Sequence, residues 1–234
     1  AINAYKTVLC LGQEHKDQEE IAVAYGNLGI VYKTRGNLEK AIAYSDDALE
    51  INKILGNKEG IAGNYGNLGV VYKMRGDLDR AVDYYKKALE IDESIGCMEG
   101  MGIQYSNLGD MYETCGDLDK AVEYYNRALT INESLGRKEG MAHQYGNLGI
   151  VYKKRGDLDK AIEFYNKSLT INESLGRKEG MANQYTNLGG LYVAYKDYKK
   201  VREYWEKSLA LYKIIGSPNA KMVQGWLDKL PPEK

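Results

Sequence analysis

The residues that most often carry catalytic or metal chemistry are few in this sequence and widely spaced. It has two histidines, His15 and His143, and neither has carboxylates or cysteines at ligand spacing beside it. The three cysteines, Cys10, Cys97 and Cys115, form neither a disulfide framework nor a metal-spaced set, because they are odd in number and unrelated in position. The sequence therefore predicts no catalytic residue, no metal site and no cofactor, and it predicts that the protein is not an enzyme.

A glycine-rich motif is the next candidate for chemistry. Residues 26–29 read Gly-Asn-Leu-Gly, which partly matches a phosphate-binding loop. The motif lacks the Lys-Ser/Thr continuation of such loops, and it falls in the middle of a predicted helix, where no free N–H groups face a phosphate. We expect these glycines to permit close helix packing instead.

A column of asparagines is the strongest chemical signal. Asparagine recurs every 40 residues at the centre of a helical stripe, which in the first copy also contains Val23, Ile30 and Thr34. An asparagine side chain offers both a donor and an acceptor, as an extended peptide backbone requires. We predict that this asparagine ladder binds a peptide; alternatively, each amide bridges neighbouring helices and fixes their crossing angle. The ladder consists of Asn27, Asn67, Asn107, Asn147 and Asn187.

Charged residues near the asparagine ladder differ between copies, as expected for a surface that distinguishes ligands. Three copies are basic and one is acidic, which predicts a ligand of alternating charge that is acidic at its ends. The alternative is that these charges only solubilise the rim. His143 is the one residue of this surface that could change charge near neutral pH. The charged candidates are the basic Lys33, Lys73, Lys153 and Lys154, and the acidic Asp110 and Glu113.

The elements that position these residues repeat with a period of 40. Tyr-Gly-Asn-Leu-Gly occurs at 25–29, 65–69 and 145–149. In each copy a first helix, helix A, carries apolar or small residues at i, i+3, i+4 and i+7. Gly36 supplies a left-handed turn that ends the first helix A, and Asn37 caps the following helix B. The equivalent caps are Asp77, Asp117 and Asp157, and successive B helices end at Gly56, Gly96, Gly136, Gly176 and Gly216.

One pattern spans both helices of a copy and is clearest in the second. It consists of Tyr65, Leu68, Gly69, Tyr72, Ala81, Tyr85 and Ala88. This pattern resembles the tetratricopeptide repeat signature, and the 40-residue form is similar to the repeats of Pins-type cell-polarity adaptors. The resemblance implies an all-α fold, a right-handed α-α superhelix of five helix-turn-helix repeats with a C-terminal capping helix. It also implies a scaffold whose concave groove, lined by A helices, binds an extended peptide or short helix of a partner protein.

The period also predicts how the chain is divided. We expect one solenoid domain over residues 1–234, with repeats at 18–56, 57–96, 97–136, 137–176 and 177–216. Residues 1–12 match helix B, so the chain opens within a repeat, as a segment of a longer array would. Residues 217–230 carry Met222, Trp226 and Leu230 at helical spacing before Pro231 and Pro232, which is typical of a capping helix.

Charge and hydropathy bear on partners and location. A net charge of −1 gives no field that would attract nucleic acid or an anionic membrane, and no apolar run approaches the length of a membrane span. We expect no nucleic-acid or membrane partner and, with three unpaired cysteines, a cytoplasmic location. A second hypothesis is a structural module that self-associates end to end through its terminal repeat faces, because the half-repeat from Ala1 to Leu9 leaves an apolar face uncovered.

Overall fold

The chain is described here from a computed structural model, which covers residues 2–231. Within that range every regular element is an α-helix, so the predicted all-α fold of tandem helix pairs is confirmed. Ala1, the first residue of the predicted partial repeat, and Pro232 lie outside the described residues. The single-domain boundary of 1–234 stays a prediction.

The helices fall into two compact units, residues 1–117 and residues 118–234. Unit 1 contains α1 (Ile2–His15), α2 (Gln18–Thr34), α3 (Leu38–Leu55), α4 (Lys58–Arg75), α5 (Leu78–Ile95) and α6 (Met98–Thr114). Unit 2 contains α7 (Leu118–Ser134), α8 (Lys138–Arg155), α9 (Leu158–Ser174), α10 (Lys178–Ala194), α11 (Tyr198–Ile214) and α12 (Asn219–Leu227). The A helices of the sequence pattern are α2, α4, α6, α8 and α10.

Side-chain caps and left-handed glycines set the helix boundaries. Asn37 accepts a hydrogen bond from the Lys40 backbone N–H at 3.1 Å, and Asp77 and Asp157 do the same for the helices that follow them. These bonds satisfy backbone donors that have no partner within the helix. The predicted terminal glycines all have positive φ, from 64° at Gly136 to 75° at Gly36, which avoids the strain that a Cβ would cause there.

The core of each unit lies between the helices of a pair, where glycine allows an aromatic ring to approach the backbone. In unit 1 a Cβ added at Gly69 would lie 2.5 Å from Cε1 of Tyr85, which is itself fully buried. In unit 2 Gly149 accommodates Tyr165, and Gly189 accommodates Trp205, in the same way. Of the two glycines predicted to permit close packing, Gly29 does so, since a Cβ there would lie 2.7 Å from Oγ of Ser45. A Cβ at Gly26 would make only ordinary contact, 3.7 Å from Oδ1 of Asn64.

A second set of glycines lets each A helix pack against the B helix before it. Gly60 on α4 faces the Asn52 side chain of α3, and Gly100 on α6 faces the Asp92 side chain of α5. In unit 2 the same contact recurs between Gly180 and Asn172. Successive pairs are therefore joined around a buried polar side chain, and Asp92 is the one carboxyl among the four equivalents Asn52, Asp92, Asn132 and Asn172.

Candidate functional site

The asparagine ladder lies on the face of the A helices that turns away from the core. On α2, Leu28 is fully buried, whereas Val23 on the ladder stripe is 62% exposed. Exposed apolar side chains also stand on the same stripe of α4, at Met74, and of α6, at Ile103. This face of the A helices therefore carries exposed apolar side chains beside the asparagines.

The ladder asparagines are half-buried, and the side chains of most of them make no hydrogen bond within residues 2–231. Asn27, Asn67 and Asn107 belong to unit 1, and Asn147 and Asn187 to unit 2. Among the described residues, no side-chain hydrogen bond to another group engages Asn27, Asn67, Asn107 or Asn187, whereas Asn147 does interact with another residue. The side chains of these four asparagines thus make no hydrogen bond between helices among the described residues.

Two of the charged candidates pair with each other. Lys73 Nζ on α4 lies 3.1 Å from Asp110 Oδ2 on α6, and both side chains are about one-third exposed. Because each neutralises the other, this part of the surface presents less free charge than the separate basic and acidic copies of the sequence suggested. The sequence could not show the pairing, since it depends on how α4 and α6 lie side by side.

The remaining charged candidates differ in environment. Lys33 is half-buried, burial lowers the pKa of its ammonium, and it has no ion-pair partner within the described part of the chain. Glu113 and Lys154 do interact with other residues. His143 is exposed, with its Nδ1 3.5 Å from Gln144 Nε2. An anionic ligand beside Lys33 would therefore favour the charged form of its ammonium.

Unit 2 contains a pocket that sequence reasoning missed in part. It has a volume of about 250 Å³ and is lined by Lys153, Thr186, Asn187, Gly190, Trp205 and Trp226. The sequence predicted Lys153 and Asn187 as ligand-binding residues, but not Gly190 or the two tryptophans. Gly190 is the residue that could have indicated the pocket from the sequence. The equivalent residue two repeats earlier is Asp110, so a side chain is missing at this position in unit 2.

Residues 2–231 contain no group of three or more His, Cys, Asp or Glu side chains arranged to hold a metal ion. None of the helices described is both long enough and apolar enough to cross a membrane.

The family model described as tetratricopeptide repeat matches residues 20–94, 102–174 and 141–214. The chain belongs to the tetratricopeptide repeat family. The resemblance predicted from Tyr65, Leu68, Gly69 and Tyr72 is thereby confirmed. A comparison with curated proteins found no match.

Solved structures with the same fold come from varied proteins. BtubC from P. vanneervenii is 21% identical with a TM-score of 0.76, and the match covers 100% of this chain and 93% of that one. A signal-transduction ATPase with a tetratricopeptide repeat sensor, from Pyrococcus horikoshii, is 24% identical with a TM-score of 0.80, over 89% of this chain and 32% of that one. Aspartyl phosphate phosphatase F from Bacillus subtilis is 16% identical with a TM-score of 0.74, over 91% and 59%. At these identities the likeness shows the fold alone.

Tetratricopeptide repeat proteins generally mediate protein–protein interaction, and the repeat fold is typically a non-catalytic scaffold. Membership of this family indicates protein–protein interaction as the general type of function. The particular surface and ligand have to be argued from this chain's own residues.

Proposed function

We propose that this protein is a non-catalytic scaffold that binds an extended peptide or short helix of a partner protein along the exposed face of its A helices. The observation that carries the proposal is that the side chains of Asn27, Asn67, Asn107 and Asn187 make no hydrogen bond to another described residue. Asn27, Asn67 and Asn107 offer donors and acceptors at a regular interval within unit 1, and these groups match the alternating N–H and C=O groups of a peptide backbone.

Apolar side chains on the same face supply the second part of the interaction. Val23, Met74 and Ile103 are each at least half exposed and flank the asparagines of α2, α4 and α6. Burying them beneath a ligand would contribute about 25 cal/mol per Å². Since each amide hydrogen bond adds only about 1 kcal/mol net, we expect micromolar or weaker affinity, with selectivity set by these apolar residues and by the charges.

The proposal extends to the kind of partner and its location. A net charge of −1 with both signs interspersed favours a protein ligand over nucleic acid or an anionic membrane. Cys10, Cys97 and Cys115 are free thiols, which fits a reducing compartment such as the cytoplasm.

Selection from a random peptide library tests this function. The variant Asn27→Ala/Asn67→Ala/Asn107→Ala removes the ladder amides of unit 1. A matched control, Asn3→Ala/Asn126→Ala/Asn166→Ala, removes three exposed asparagines from the helix-B side of the repeats. We expect wild type and control to enrich the same peptides and the ladder variant to bind them at least tenfold more weakly, with unchanged helical circular dichroism. Equal binding by all three proteins would exclude the ladder as the ligand site.

End-to-end self-association is the second candidate function. The terminal helices each leave a large apolar side chain exposed, Leu11 on α1 and Met222 on α12. These contacts would join separate copies of the chain and would leave the ladder free. Light scattering over a concentration series tests this candidate, because a constant monomer mass would exclude it and a mass that rises with concentration would favour it.

A further inference from the structure

Four of the five repeats place one of their own cations over an aromatic ring of helix B. Lys87 Nζ lies 5.3 Å from the ring centroid of Tyr84, and Lys167 Nζ lies 5.1 Å from that of Phe164. Each cation also pairs with an acidic side chain one turn earlier on the same helix, as Lys87 does with Asp83 at 2.7 Å. It is thus attracted both to the ring and to a carboxylate. The cations are Lys87, Arg127, Lys167 and Lys207, and their acidic partners are Asp83, Glu123, Glu163 and Glu203.

The first repeat keeps the aromatic rings but lacks this cation. Its helix B, α3, has Asp47 at the position of the cation and Ala43 at the position of the acidic partner. The aromatic residue of α3 is Tyr44, whose ring centroid lies 5.9 Å from that of Tyr25 on α2. Within residues 2–231, no lysine or arginine lies over the ring of Tyr25 or Tyr44. This repeat therefore presents two rings beside a carboxylate where the other repeats hold a cation.

The lysines that flank this surface in the sequence contact other rings. Lys40 Nζ lies 5.2 Å from the ring centroid of Tyr32, and Lys53 Nζ lies 5.7 Å from that of Tyr65 on α4. Asp47 is exposed and makes no ion pair with any described residue. The two half-buried rings and this carboxylate are therefore accessible to a cation from outside the chain.

The acidic side chains of α3 lie close to these rings and to each other. Burial raises the pKa of the Tyr25 hydroxyl, and the neighbouring Asp47 carboxylate raises it further. Burial also raises the pKa of the Asp47 carboxyl, and the neighbouring Glu50 adds to that rise. Both effects disfavour negative charge, so a cation between Asp47 and the rings would stabilise the ionised carboxylate.

We propose that the surface formed by Tyr25, Tyr44 and Asp47 binds an arginine or lysine side chain of a partner protein. The basic group lies over the two rings, as Lys167 lies over the equivalent rings of the fourth repeat, and it pairs with Asp47. The chain itself indicates this class of ligand, because the other repeats fill the equivalent place with lysine three times and with arginine once. None of the three residues belongs to the asparagine ladder or its stripe, so this inference goes beyond the proposed function.

Titration of the whole chain, followed by nuclear magnetic resonance, tests this inference. The probe is the peptide Ala-Arg-Ala with an acetylated N-terminus and an amidated C-terminus. Its control has citrulline in place of arginine, which keeps the shape of the side chain and removes its charge. We expect the arginine peptide to shift the backbone signals of α3 around Asp47 saturably. The citrulline peptide should bind at least about tenfold more weakly, because cation–π contacts and ion pairs both depend on the charge.

An exchange of charges between two repeats gives matched variants. Ala43→Glu/Asp47→Lys gives the first repeat the charge arrangement of the others, and we expect it to bind the arginine peptide at least about tenfold more weakly than wild type. Glu163→Ala/Lys167→Asp gives the fourth repeat the arrangement of the first, and we expect a second site, with shifted signals on α9. All four positions are exposed, so both variants should keep the helical circular dichroism of wild type.

Three outcomes would overturn the inference. They are equal binding of the arginine and citrulline peptides, equal binding by wild type and Ala43→Glu/Asp47→Lys, and equal binding by wild type and Asp47→Ala. The last follows because any uncharged residue at position 47 leaves the site without its carboxylate. The ladder variant of unit 1 keeps this surface and should bind the arginine peptide as wild type does. Failure of the peptide-binding function and failure of this inference are therefore distinguishable.

Discussion

Asp92 occupies a position at which three other repeats have asparagine. The carboxyl group in place of an amide affects the stability of the folded state. Its side chain packs against Gly100 and is only 4% exposed. Burial raises the pKa of the Asp92 carboxyl, and a hydrogen bond from the Gln104 side chain offsets part of that rise. Its Oδ2 is buried with no hydrogen-bond partner among the described residues. The folded state therefore disfavours the ionised form.

We predict that Asp92→Asn raises the free energy of unfolding at pH 7 by roughly 1 kcal/mol. Asn132 and Asn172 show the reason, since each donates its Nδ2 hydrogen to a backbone carbonyl one turn earlier, at 2.8 and 2.9 Å. Urea unfolding of both proteins at pH 3 and pH 7 is the measurement.

The sign of the pH dependence follows from the raised pKa of Asp92 in the folded state. Below the unfolded-state pKa of about 3.9 the carboxyl is protonated in both states and costs nothing. The cost grows as the pH rises towards the folded-state pKa and is constant above it. The advantage of Asp92→Asn should therefore be larger at pH 7 than at pH 3, and the reverse control, Asn132→Asp, should be less stable than wild type at pH 7. An advantage for Asp92→Asn that grew as the pH fell would contradict this account.

At the residue scale, the sequence predicted the features that recur in every repeat and missed the features that occur in one repeat only. The asparagine ladder was visible because one residue type recurs at a fixed interval on one helical face. The Lys73–Asp110 pair was not, since it joins two helices whose relative position has no local signal. The pocket beside Gly190 was missed because it lies where a side chain is absent. Only the comparison of Gly190 with the equivalent Asp110 indicates it.

At the element scale, most helix ends were predictable because capping is local chemistry. Asn37, Asp77 and Asp157 lie where the sequence placed them, each accepting a backbone N–H from three residues ahead. Two turns depart from the glycine pattern, at Lys16, with a φ of 57°, and at Lys196. Lys196 has a φ of 55° at the position where the earlier repeats have Gly36, Gly76, Gly116 and Gly156. A side chain with a Cβ is strained in this left-handed conformation.

We predict that Lys196→Gly raises the free energy of unfolding by about 0.5 kcal/mol. Relief of the left-handed strain, about 1 kcal/mol, exceeds the extra freedom that glycine gives the unfolded chain. The reciprocal variant Gly156→Lys should lower stability by about 1 kcal/mol, since Gly156 has a φ of 81°. Thermal unfolding followed by circular dichroism compares the three proteins. A Lys196→Gly variant that melts below wild type would show that the Lys196 side chain stabilises the turn through contacts.

At the scale of the whole molecule, stability should be distributed by repeat. Tandem repeats contact mainly their neighbours, so stability is approximately a sum of repeat and interface terms. The fold could be predicted from the sequence for the same reason, because the helices of one recognised repeat recur in the other repeats. The ligand could not, because the same scaffold carries different surfaces in different proteins.

We predict that Leu108→Ala costs roughly 2 to 5 kcal/mol and that the loss is local. Leu108 on α6 is fully buried in unit 1, and Leu188 on α10 is fully buried in unit 2, which makes Leu188→Ala a matched control. Hydrogen exchange should show the largest loss of protection in α4 to α6 for the first variant and in α9 to α11 for the second. Equal loss along residues 2–231 in both variants would mean that the array unfolds as one cooperative body.

Site-specific photo-crosslinking tests the central claim, that the exposed face of the A helices is the binding surface. Benzoylphenylalanine is placed at Val23 or Ile103 beside the ladder and, in matched proteins, at Asp47 or Lys86 on the exposed side of the B helices. Each protein is irradiated with the same random peptide library. We predict that the two ladder positions capture a common set of peptides, rich in apolar residues and carboxylates, and that the two B-helix positions capture none above background. Equal capture at all four positions, or preferential capture on the B helices, would contradict the account.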